Sequence, residues 1–71
     1  MTRYLIIMEK SETGYSAYSP DLPGCVSTGA SRPEAEANMR EAITAHLEGL
    51  REMGAPVPPP NSVAAYVEVA A

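Results

Sequence analysis

Residues 31–54, SRPEAEANMREAITAHLEGLREMG, carry the clearest local instruction in this 71-residue chain. Ser31-Arg32-Pro33-Glu34 fits a capping box. The Ser31 hydroxyl is placed to accept from the Glu34 amide, and the Glu34 carboxylate to reach back to the Ser31 amide. Pro33 falls in the first turn, where its missing donor costs little. Apolar residues then recur at Ala35, Met39, Ile43, Leu47, Leu50 and Met53. Spacings of three and four put them on one stripe of a helix. Glu36, Arg40, Glu41, Glu48 and Arg51 lie mostly off it. Gly54 is a natural stop, reinforced by Pro56.

Upstream of the helix the pattern is that of strands. Tyr4-Leu5-Ile6-Ile7-Met8 is apolar at every position, which predicts a central strand covered on both faces. Ser11-Glu12-Thr13-Gly14 reads as a turn, and Tyr15-Ser16-Ala17-Tyr18-Ser19 as a second strand closing a hairpin. Pro20-Asp21-Leu22-Pro23-Gly24 is strong punctuation, with Pro23-Gly24 suited to the centre of a type II turn. Cys25-Val26-Ser27-Thr28 follows as a short third strand, ended by Gly29. Downstream, Val57-Pro58-Pro59-Pro60 is a stiff connector. Val63, Ala65, Val67 and Val69 then alternate with Ala64, Tyr66 and Glu68, which predicts a fourth strand with one core face.

Connection lengths set the topology. Short turns make the first three strands antiparallel, and the helix is a crossover that permits parallel pairing of the fourth. The expectation is an α+β domain: a four-stranded mixed sheet in the order 3-2-1-4 with one helix on one face. The uncovered face carries some of Tyr4, Ile6, Met8, Tyr18 and Tyr66, or their neighbours of opposite parity. An apolar sheet face without a cover predicts a partner.

Composition points the same way. A chain this short forms one domain, here residues 1–71, with a marginal core. Small domains need a staple. Cys25 is the sole cysteine and His46 the sole histidine, which argues against disulfides and zinc and leaves a partner or a second copy. The net charge of −4, with the five basic residues scattered, lacks the basic stripe of a nucleic-acid binder. It suits a basic protein partner. The apolar run at residues 4–8 is too short for an export signal or a membrane span, so a reducing cytoplasm is expected.

The order of these pieces resembles the HicB family of bacterial and archaeal antitoxins. The resemblance rests on an aromatic-rich hairpin, then Asp21-Leu22-Pro23-Gly24-Cys25, then a capped helix with Ser31 and Glu34-Ala35, then a glycine-and-proline return to a last strand. It covers roughly residues 4–66. It implies a partial ribonuclease H-like fold, β-β-β-α-β, in agreement with the topology read from spacing. It also implies a partner: a small basic toxin, HicA, that cleaves messenger RNA and whose active site the antitoxin covers. Many members carry a C-terminal DNA-binding unit. None is expected here, because the sequence stops soon after the fourth strand, so no direct nucleic-acid binding is expected either. The Arg32-Pro33 step and Glu36 also depart from the family's commonest helix start.

Candidate functional residues follow. Tyr15, Tyr18 and Tyr66 are the best partner contacts, since tyrosine combines an apolar ring with a polar hydroxyl; core packing is the competing reading for each. Asp21 and Leu22 belong to a stretch that is either a partner-contact loop or a rigid turn. Cys25 reads as a buried structural thiol and His46 as a packing residue. No catalytic, cofactor or metal site is expected, because no carboxylate cluster or phosphate loop is present. The leading expectation is an antitoxin that masks a basic toxin and forms a homo-oligomer, a dimer or tetramer. The alternative is a stand-alone oligomeric ligand-binding or regulatory domain without a toxin.

Overall fold

The computed structural model describes residues 2–71. Its elements run β1 (Ile7–Ser11), β2 (Gly14–Tyr18), β3 (Val26–Gly29) and α1 (Arg32–Glu52). The three strands form one antiparallel sheet in the order β1-β2-β3. Ser11 pairs with Gly14, so the hairpin turn is the two residues Glu12 and Thr13. Gly14 leaves that turn at φ 152°, a conformation that excludes most side chains.

Between β2 and β3 the chain makes two successive turns. The Leu22 amide donates to the Ser19 carbonyl and the Cys25 amide to the Leu22 carbonyl, both at 3.1 Å. Pro23 and Gly24 occupy the middle of the second turn. Gly24 has φ 82°, as the third position of a type II turn requires. The double turn drives Leu22 inward, where it is fully buried.

The helix starts as its sequence dictates, with one difference. Ser31 is the N-cap and its hydroxyl accepts from the Glu34 amide at 3.3 Å. The Glu34 carboxylate reaches one residue further back than expected, accepting from the Ala30 amide at 3.2 Å. The amide at the end of β3 is thereby satisfied by the helix's first turn. Gly54, at φ 68°, ends the helix by donating to the Arg51 carbonyl. The apolar stripe is buried at Ala35 and Met39 and half-buried at Ala42, Ile43 and Leu47, while Met53 is exposed.

Register assigns the faces. Met8, Ala17 and Ser27 stand in one cross-strand row, and Lys10, Tyr15 and Gly29 in another on the same face. That is the helix face. Ala17 packs with Leu22, Cys25 and Met39, and a Cβ on Gly29 would collide with the Ala35 backbone. Tyr4, Ile6 and Met8 pack around the same cluster. Asn38 ties the helix to β3 by donating to the Thr28 carbonyl at 2.8 Å. Leu22 and Met39 are the largest fully buried side chains. Each such burial is worth about 1.5–3 kcal/mol, a thin core for a domain.

Two expectations about the sheet need correcting. β1 is an edge strand, and residues 4–6 are half-buried but outside the ladder, held instead by the Ser19 hydroxyl, which donates to the Leu5 carbonyl at 2.9 Å. Among the described residues the segment expected as a fourth strand pairs with no strand, so the order 3-2-1-4 is not observed. The connector before it is anchored: the Tyr4 hydroxyl donates to the Pro58 carbonyl at 2.6 Å, and Ser62 binds Asp21. Beyond Ser62 the chain stays exposed, with Val63, Val67 and Val69 at 89%, 82% and 76% exposure.

Candidate partner-binding surface

The face away from the helix holds a cross-strand row of Ile7, Tyr18 and Val26, directly opposite one another on β1, β2 and β3. Ile7 is half-buried, Tyr18 is 40% exposed and Val26 is 65% exposed. Glu9, Ser16 and Thr28 form the adjoining polar row. No element of the described chain covers either row. An apolar row bordered by polar side chains is the arrangement of a protein-contact patch.

The five residues singled out from sequence do not form one surface. Tyr18 stands at the centre of the open row. Tyr15 lies on the opposite, helix-side face, half-buried, and borders a groove along β1. Tyr66 borders the same groove from the C-terminal segment and is fully exposed. Asp21 is half-buried and engaged by Ser62. Leu22 needs correction as a contact residue: the double turn makes it core, with no surface to offer. Ile7 and Val26, not singled out from sequence, share the open row with Tyr18. Their parity with Tyr18 is readable once the hairpin register is fixed, but that register depends on the length of the turn.

Burial pushes the Cys25 thiol pKa up, against the thiolate that a nucleophile needs. Among the described residues no three His, Cys, Asp or Glu side chains are grouped to hold a metal ion. No helix among them is long and apolar enough to cross a membrane.

With this geometry in place, comparison with known proteins is decisive. The profile of the HicB_like antitoxin of bacterial toxin-antitoxin systems matches residues 4–70, nearly the whole chain. The chain belongs to the HicB-like antitoxin family. Its relatives include the UPF0150 protein of Helicobacter pylori, 45% identical over 65 residues and 90% of each chain. The UPF0150 protein Ta0767 of Thermoplasma acidophilum is 38% identical over 84% of this chain and 88% of its own. A 14.9 kDa protein from the rep-hol intergenic region of Haemophilus phage HP1 is 41% identical over 90% of this chain. This HicB-like chain spans about half the length of that phage relative, 48%. Among solved structures, a chain of the HicA3 and HicB3 toxin-antitoxin complex superposes with a TM-score of 0.74 at 35% identity, over 83% of this chain and 70% of that one. The three strands and the helix are therefore a HicB-like arrangement.

Proposed function

We propose that this chain is an antitoxin that binds a small basic toxin of the HicA kind, an mRNA-cleaving ribonuclease, and masks it without catalysing anything itself. The observation that carries this reading is the uncovered apolar row Ile7-Tyr18-Val26 on an acidic chain of the HicB-like family. The row supplies the desolvated centre that a protein contact needs. The net charge of −4 complements a basic partner and speeds its encounter. A toxin that cleaves messenger RNA sets the place of action as the cytoplasm.

The test pairs this chain with a small basic protein of the HicA kind. Purified toxin is assayed for RNA cleavage with and without the chain, and binding is measured by calorimetry. The expected result is stoichiometric inhibition, binding that weakens as salt rises, and at least a tenfold affinity loss in Tyr18→Ala. A toxin left fully active by excess chain, or an affinity unchanged in Tyr18→Ala and Val26→Ala alike, would overturn the proposal.

A further inference from the structure

β1 presents an unpaired edge, and residues 63–69 pair with no strand among the described residues. The two flank one groove. Arg3, Tyr4 and Ile6 line one side of it, and Ser62, Val63 and Tyr66 belong to the departing segment. Yet Tyr66 is fully exposed, so the chain borders this groove without filling it. The segment projects from the body. The radius of gyration is 13.8 Å, against roughly 11 Å for a compact chain of this length. The longest dimension is 48 Å, well beyond the roughly 32 Å of the 21-residue helix.

We propose that residues 63–69 of one copy pair with the β1 edge of a second copy, reciprocally, so that two chains complete each other's sheets. Seven residues at strand spacing span about 23 Å, matching residues 4–10 in length. The alternation fits the vacant position. Val63, Ala65, Val67 and Val69 form one face, which falls toward half-buried Ile43 and Leu47 beside Tyr4 and Ile6, just ahead of β1. Ala64, Tyr66 and Glu68 then lie on the opposite face of the extended sheet.

The occupant is a second copy because the chain is complementary to itself while its own segment stays exposed beside the edge. It offers a free segment and the free edge of β1, each with unmet backbone hydrogen-bonding groups, whereas at the other edge, β3, the Thr28 carbonyl already accepts from Asn38. The Asp21–Ser62 and Tyr4–Pro58 bonds fix where the segment departs. Reciprocal exchange closes under two-fold symmetry and leaves neither β1 edge open. It also adds three buried valines per chain to a thin core.

The test uses the full chain alone, so its result is independent of any toxin. Isotopically labelled and unlabelled chains are unfolded together, refolded and mixed one to one. Filtered NMR spectra then read contacts between copies. The expected result is cross-copy contacts from residues 63–69 to residues 4–10, with a light-scattering mass of two chains. Val67→Pro removes a ladder donor and is expected to halve that mass while leaving the helical signal. Contacts confined to one chain, or a mass of one chain at high micromolar concentration, would overturn the proposal. Should Val67→Pro fail to fold, the filtered spectrum of the unaltered chain decides.

Discussion

The carboxylate of Asp21 accepts both the amide and the hydroxyl of Ser62, each at 3.0 Å, across 41 residues of sequence. It thus joins the turn after β2 to the connector after the helix. This bond fixes where the C-terminal segment leaves the body. Asp21→Asn keeps the size but removes the charge and one acceptor. Hydrogen bonds to charged groups contribute roughly 1.5–3 kcal/mol, and half-burial places this one at the lower end. The variant is expected to lower the urea midpoint modestly and to speed amide exchange at Ser62. Unchanged exchange at Ser62 would show that the bond does not form in solution.

Leu22 and Tyr18 sit four residues apart and answer to different demands. Leu22→Ala opens a cavity in a core with few large side chains. It is expected to cost about 2–5 kcal/mol, enough to leave much of the population unfolded. Tyr18→Ala, on the open face, is expected to change stability by under about 1 kcal/mol. Urea unfolding of the two variants side by side measures the contrast. Equal losses would mean that the open row is already covered in the isolated chain.

Two glycines give opposite signs for the same substitution. Gly29→Ala drives a methyl group into the Ala35 backbone, where β3 and the helix meet. A loss of about 1–3 kcal/mol is expected from that overpacking. A Cβ on Gly49 meets nothing within 4 Å, inside a continuous helix. Gly49→Ala is therefore expected to stabilise by up to about 1 kcal/mol. Thermal unfolding read by circular dichroism settles both signs.

Burial raises the Cys25 pKa, so the folded chain holds the thiol proton more tightly than the unfolded chain. Stability from this source is fully present below the unfolded thiol's pKa, near ~8.5. It is lost as pH rises through the higher folded value. The chain is expected to weaken between neutral pH and pH ~10, and Cys25→Ala to weaken less over the same span. A thiol reagent at neutral pH is expected to label Cys25 slowly, at a rate set by opening of the core. Fast labelling of the native chain would contradict its burial.

Local signals in the sequence carried through to the structure. The Ser31 cap, the Gly54 stop, the hairpin and the Pro23-Gly24 turn each depend on residues within a few positions of one another. Their physics is complete in a short window. The resemblance to HicB antitoxins was legible for the same reason, since its marks are turn and cap residues in a fixed order.

Long-range pairings were not legible. The alternation at residues 63–69 states that a strand face is to be buried, but not against which chain. The inward turn of Leu22 depends on two turns acting together, and the Asp21–Ser62 bond joins positions that no local pattern connects. The sequence by itself determined the helix and its ends, the hairpin and the family, because backbone preferences and side-chain periodicity act over one or two turns. Only the tertiary structure decided that Ile7, Tyr18 and Val26 share an open face and that β1 keeps a free edge. Those facts depend on register and on the path of a proline-stiffened connector, which are fixed only when distant segments meet.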